Sequence, residues 1–341
     1  MTAEEGEAAG GQPGHIDDPW NQGALAAEEG LADKSVIVSA SYKTDIPAFY
    51  GDWFLRRLQA GICRVRNPYN GLPFAVPTKG RAVAGYVFWT RNMAPFFSAL
   101  AKVREAGLPF MVQYTCTGYP EALEAATPGA EAAVAQVKRL ADEYGPRCAV
   151  WRYDPVVFTS FSSARWHIEN FSKLAAQLKG LVDEVVVSFY QPYRKSARNL
   201  AQAGEAHSFM VKEPSEEQKR GFILRLAAIA ADQGMRLSLC AQRELLSVAQ
   251  GPAEASGGGG VVHDAACVDV RRLSDLAGSA ITVKGQGHRG KACACAPSRD
   301  IGAYDTCPQG CAYCYANISR EGAQKNLRRH DNCSDFLLEP A

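Results

Sequence analysis

The sequence predicts an α/β protein, a parallel sheet or barrel with a cysteine-rich C-terminal segment. Three observations carry this. Six short runs of apolar, β-branched or aromatic residues alternate with helical segments. The runs are continuously apolar, as parallel strands covered on both faces are. Beyond residue 260 the text turns rich in Gly and Cys and loses its periodicity.

The elements follow in order. VIVSAS starts at Val36 and leads into TDIPAFYGDWFLRRLQAG, a turn and an amphipathic helix. AVAGYVFWT over 82–90 precedes a helix near 94–106, and FMVQYT over 110–115 precedes EAAVAQVKRLADEYG. AVWRYDP over 149–155 precedes a helix through 163–179. EVVVSFYQ spans 184–191, and RLSLCAQ spans 236–242 after a helix near 216–233. ICRVRN over 62–67 reads as an accessory strand. Each main strand is covered by its crossover helix, the pattern of parallel α/β folds.

The organisation predicted is a disordered tail over 1–33, six β/α units over 34–250 and a flexible Gly-rich linker over 251–260. The last part, 261–341, holds one more short helix in VHDAACVDVRRLSDLAG. Little else there can build an apolar core, so a bound metal is the expected source of order.

The chain has 341 residues and balances 37 basic against 36 acidic side chains, for a net charge of +1. So even a balance gives no overall footprint for nucleic acid. No stretch approaches the ~20 apolar residues of a membrane span. The opening MTAEEGEAAGGQPGH lacks the basic and apolar regions of a secretory signal. The expectation is a cytoplasmic protein with no membrane partner.

Eleven cysteines, six of them from Cys293 onward, argue for reduced thiols and metal ligation rather than a disulfide framework. The decisive stretch is TCPQGCAYCYA, where Cys307, Cys311 and Cys314 stand in C-x3-C-x2-C spacing with Tyr313 before the last. Three thiolates can hold three irons of a 4Fe–4S cubane and leave the fourth open. The competing reading is a structural zinc completed by Cys295, Cys333 or His330. Zinc sites more often use two C-x2-C pairs, and here there is one.

Spacing and aromatic together resemble the radical S-adenosylmethionine (SAM) signature. Over nearly all of 35–318 the chain also resembles a bacterial domain-of-unknown-function family whose C-terminal cysteines look like that cluster motif. The segments that carry this are SASYKTDIPAFY, VRNPYN, VFWTRN, TGYP, WRYDP, SFYQPYRK and CACAPSRDIGAYDTCPQGCAYCYAN. The resemblance implies a partial (β/α)6 TIM-like barrel of radical SAM type, with the cluster motif after the sixth unit instead of after the first strand. It implies SAM chelated at the open iron, a small-molecule substrate, and an external electron donor of flavodoxin or ferredoxin type. Where this chain has Tyr42 and Cys116, the family is expected to have Arg and an aliphatic residue.

Ligands of parallel α/β folds bind at the carboxyl ends of the strands. There stand Ser39, Ser41, Thr90, Asn92, Gln113, Thr115 and Ser188, which with Tyr313 are the expected SAM contacts. Arg152 and Asp154, charged residues inside a buried run, need a partner or a role; with Cys116 they are the catalytic candidates. Cys267, Cys293 and Cys295 are expected to ligate a second iron–sulfur cluster or to bind a thiophilic substrate. The C-x-C pair is the less specific signal, and Cys240 stays open between structure and function.

Two outcomes of reductive SAM cleavage remain at this point. One releases a 5′-deoxyadenosyl radical for hydrogen abstraction, including nucleic-acid lesion repair, which the +1 charge disfavours. The other transfers a 3-amino-3-carboxypropyl group to a thiophilic acceptor such as trivalent arsenic, for which three soft thiols would suit. A non-enzymatic zinc- or cluster-stabilised binding module is the rival class.

Overall fold

β-Branched and aromatic side chains pack well on a pleated surface buried on both sides, and the apolar runs form strands accordingly. The computed structural model describes residues 35–67, 70–249, 261–285, 287 and 293–339. The tail expected over 1–33 and the linker expected over 251–260 lie outside the described residues.

β1 (Val36–Ala40) runs into two short helices, α1 (Ile46–Phe49) and α2 (Gly51–Ala60). Asp45 caps α1 by accepting the Ala48 amide at 3.0 Å. β2 (Ile62–Arg66) and β3 (Pro73–Pro77) form a separate antiparallel pair, which is the accessory strand with its partner. β4 (Val83–Thr90), α3 (Phe97–Glu105), β5 (Phe110–Thr115), α4 (Ala130–Tyr144), β6 (Ala149–Val156), α5 (Ala164–Leu178) and β7 (Glu184–Phe189) continue the alternation. After β7 come α6 (Arg194–His207), α7 (Glu216–Asp232), β8 (Arg236–Leu239) and α8 (Arg243–Ala249). Beyond them lie β9 (Val262–Asp264), α9 (Val270–Ala277), β10 (Ser298–Asp300) and α10 (Arg320–Arg329).

The central sheet has eight strands in the order β10-β1-β4-β5-β6-β7-β8-β9. Every neighbouring pair is parallel. The fold is α/β with a parallel sheet, as expected, but the sheet has eight strands where six were expected: two edge strands come from the cysteine-rich segment, and the described pairings run from β10 to β9 without closing a ring. The six expected strands are all present. β9 and β10 are three residues each, too short to leave a periodic trace.

Alternation along the strands divides the core. Val38, Phe88, Val112, Trp151 and Val187 join one large cluster with α2, α3, α5 and α7. On the other face Ile37, Val87, Met111, Val150 and Val186 pack against Cys267, Val268, Leu273, Cys293 and Cys295. The cysteine-rich segment therefore supplies the second half of the sheet's core.

Candidate active site

Residues two positions further along that second face reach the carboxyl ends of the strands: Ser39, Trp89, Gln113, Arg152 and Ser188. There a cavity of about 290 Å³ opens, and both groups of cysteines line it. Seven of the expected residues outside those groups, Ser41, Thr90, Thr115, Arg152, Asp154, Ser188 and Tyr313, line it as well.

The three-cysteine loop is zipped onto residues 123–126. Ala126 donates its amide to the Gln309 carbonyl at 3.0 Å, and Ala312 donates to the Leu123 carbonyl at 2.9 Å. Glu124 and Cys311 form an antiparallel bridge between them. Side chains fix what the backbone aligns. The buried Glu124 carboxylate accepts a hydrogen bond from Arg91 Nη1 at 2.8 Å and from the hydroxyls of Thr117 and Tyr313. Gln309 donates Nε2 to Asp45 Oδ2 at 3.0 Å, and Tyr50 donates its hydroxyl to the Thr306 carbonyl at 2.6 Å.

Asp45 also accepts Thr90 Oγ1 at 2.7 Å and the Arg91 amide at 2.9 Å. Burial nonetheless pushes its carboxyl above the usual range, against those hydrogen bonds. Burial likewise pushes Cys307 well up and Cys311 to about 12, where the Arg91 guanidinium opposes it, and it raises Cys314. These thiols keep their protons until a cation takes the sulfur.

Asp300, at the end of β10, ties the floor together. It accepts Ser39 Oγ and Ser41 Oγ at 2.8 Å, the Tyr42 amide at 3.0 Å and the Gly302 amide at 3.0 Å. Lys43 Nζ stands 3.5 Å away. The β1–β10 pairing, with Ser39 opposite Asp300, puts it there.

Arg152 organises the second group of thiols. Its guanidinium binds Asp154 through Nε at 3.0 Å and Gln113 Oε1 and Cys267 Sγ through Nη1 at 3.0 and 3.1 Å. It also stands over the Trp89 ring, 5.0 Å from the centroid. Asp154 in turn accepts the Ser188 hydroxyl. Cys240 Sγ lies 3.5 Å from Cys267 Sγ, the Val268 amide donates to Cys295 Sγ at 3.5 Å, and the Cys295 amide donates to Cys293 Sγ at 3.3 Å. The Cys240 contact lowers the Cys267 thiol, but the Cys295 contact and burial outweigh it and hold Cys267 at about 12. Cys293 is lowered by its hydrogen bond with Cys295.

Four expected residues do not line the cavity. Ser39 sits beneath it, on Asp300 and Trp89 Nε1. Asn92 caps the turn ahead of α3, accepting the Ala94 amide at 3.2 Å. Gln113 acts through others, donating Nε2 to the Cys267 carbonyl at 2.9 Å while holding Arg152. Cys116 belongs to the helix-side core, where burial pushes its thiol up to about 12. That placement corrects its candidacy as a catalytic residue: a buried, protonated thiol turned away from the cavity reaches no substrate. Glu124 and Asp300 enter the site without having been singled out for it, and Cys240, left open between structure and function, lines the cavity. Cys240 closes a strand run, so its position was the available signal. Glu124 and Asp300 lie in segments with no strand-like pattern, and only the fold brings them in.

Among the described residues, no three His, Cys, Asp or Glu side chains form a group around a single metal-ion position. A single ion needs such convergence; a cubane takes each thiolate at a different iron. Three soft thiols stand on one loop at the cavity, the donor type that iron–sulfur clusters use, and Gln309 Oε1 and Asn317 Oδ1 are buried with no hydrogen-bond partner.

No curated protein matches the chain. A family model, the domain of unknown function DUF1848, matches residues 37–316. The match begins at the second residue of β1 and ends two residues past Cys314, so it takes in all of the sheet but Val36 and all seven cysteines of the cavity. The chain belongs to the DUF1848 family.

Proposed function

We propose that the protein is a radical SAM enzyme that holds a 4Fe–4S cluster on Cys307, Cys311 and Cys314 and acts on a small-molecule substrate in the strand-end cavity. One observation carries the reading: three half-buried thiols on a loop fixed by Glu124 and Asp45 line the same cavity as the polar strand ends. We read the eight-stranded sheet as an opened barrel of radical SAM type, with its cluster loop arriving late in the chain. Cluster and SAM together would supply one-electron reductive cleavage of a sulfonium carbon–sulfur bond, the electron coming from an external flavodoxin- or ferredoxin-type donor.

The chain's own residues have definable tasks. Arg91 places a cation beside Cys311, which favours its thiolate. Thr115 offers a hydroxyl to a polar ligand, Thr90 and Ser41 hold Asp45 and Asp300 in place, and Arg152 with Asp154 offers a fixed ion pair on the same lining.

The second thiol group favours transfer of a 3-amino-3-carboxypropyl group to a thiophilic acceptor such as arsenite, where forming the carbon–arsenic bond would take a second electron from the same donor and expel one hydroxide, leaving arsenic trivalent. Cys240, Cys267, Cys293 and Cys295 share the cavity with the cluster thiols, and soft sulfur donors select soft ions. Hydrogen abstraction by a 5′-deoxyadenosyl radical is the alternative outcome. Anaerobic incubation of reconstituted protein with SAM, dithionite and arsenite separates them. 5′-Methylthioadenosine together with an organoarsenical supports the transfer, whereas 5′-deoxyadenosine moves the assignment to hydrogen abstraction. One bound zinc and no SAM-derived product would make the chain a binding module.

A further inference from the structure

A second recess, of about 410 Å³, opens on the far side of Lys43. It lies between the β2–β3 hairpin, residues 301–304 and the segment 326–339. Four cations, Lys43, Arg64, Arg66 and Arg329, face it against two acids, Asp331 and Glu339.

The surrounding contacts answer that charge only in part. Arg64 lies 3.8 Å from Asp335, which also pairs with Arg57. Arg66 donates Nη1 to the Gly71 carbonyl at 2.8 Å and stands over the Phe336 ring, 5.5 Å from the centroid; neither partner is an anion. His330 bonds the Leu337 carbonyl through Nδ1 at 2.8 Å. A carbonyl only accepts, so Nδ1 carries the proton. Nε2 is left buried without a partner in the same wall.

We propose that this cleft binds a phosphorylated small molecule, with Arg64, Arg66 and Arg329 taking the phosphate. Guanidinium forks match phosphate oxygens two at a time. Lys43 is paired with Asp300 and Arg64 shares Asp335, so Arg66 and Arg329, which form no ion pair among the described residues, are the cations left to meet a phosphate's nearly two charges. Ile301, Phe336 and Leu337 give the organic part an apolar surface. Lys43 lines both recesses, and its partner Asp300 holds Ser39 and Ser41, so a ligand that draws on Lys43 is felt at the floor of the reaction cavity. The site stands apart from the cluster assignment, because its test reads binding alone.

The test is isothermal titration calorimetry of the full chain, before and after cluster reconstitution, with sodium pyrophosphate and adenosine 5′-diphosphate at matched ionic strength. Saturable binding of the diphosphates is expected. It should weaken at least tenfold in the double variant Arg66→Gln, Arg329→Gln and stay unchanged in Arg271→Gln, on α9 outside the cleft. Should the double variant unfold, Arg329→Gln alone replaces it; its side chain is exposed, and at least a threefold loss is expected. Absence of binding in both preparations, or equal binding in the Arg variants, overturns the proposal. So does tighter binding of a single-stranded oligonucleotide than of the diphosphates, which would make the cleft part of a nucleic-acid track.

Discussion

Gln309, between the first two cysteines of the loop, donates Nε2 to Asp45 Oδ2 at 3.0 Å, across 264 residues of sequence. Asp45 stands just after β1, so the bond ties the cysteine loop to the first strand end of the sheet. Glu124 grips the other end of the loop through Tyr313. The two acids set where the thiols stand, and both are buried.

Gly310 tests that arrangement. Its φ of +75° lies in the left-handed region, and an added Cβ would stand 2.8 Å from Arg320 Cδ and 3.1 Å from Ala125 Cβ. Gly310→Ala should cost about 1 kcal/mol or more for the backbone alone. In denaturant titrations its midpoint falls, and iron loading falls with it. Wild-type stability and loading in this variant would mean that the loop is not held as described.

Asp154→Asn removes the charge that Arg152 faces. Loss of the buried pairing should lower stability by about 1–3 kcal/mol, and turnover per folded molecule should drop at least tenfold. The measurement is SAM cleavage normalised to folded protein by near-ultraviolet circular dichroism. Unchanged turnover with lowered stability would make Arg152 and Asp154 a structural ion pair.

Replacing Cys267, Cys293 and Cys295 together by Ala separates acceptor from cluster. With an acceptor site, iron stays near about four per chain in both proteins, while product formation stops and uncoupled SAM cleavage continues. A fall from about eight irons to about four would assign these thiols to a second cluster instead. Cys240→Ser extends the test, since Cys240 touches Cys267 and should share its fate.

His167 predicts a pH dependence unrelated to the site. Burial holds its pKa at about 4, below the ordinary 6.5, with Tyr153 on Nδ1 and the Val157 carbonyl on Nε2. A depressed folded pKa means that the unfolded chain takes up the proton first as pH falls. The stability is fully present above pH 6.5 and is lost between there and about pH 4, up to about 3 kcal/mol. Urea midpoints measured across that window should fall in the wild type and fall less in His167→Gln. Parallel curves would place the acid sensitivity elsewhere.

The strands were legible because continuous apolar runs such as VFWT and VVVSF leave no other reading, and the cysteine spacing was legible because ligand geometry constrains it locally. What stayed hidden is non-local or polar. α6 and α10 are rich in Arg, Lys, Asn and Gln and show no broad apolar stripe. β9 and β10 earn their places by pairing at the sheet edges, which no three-residue pattern reveals. Cys116 lies one residue past a strand end, yet its side chain turns into the helix-side core, and that half-turn of pleat decided its role.

The central claim is that Cys307, Cys311 and Cys314 hold a redox-active cluster that cleaves SAM. Its most direct measurement is iron content and anaerobic, dithionite-driven SAM cleavage in Cys307→Ala, Cys311→Ala and Cys314→Ala beside the wild type. The account predicts about four irons with product in the wild type, and loss of both in each variant. Reductive SAM cleavage retained in any one of the three variants would contradict it.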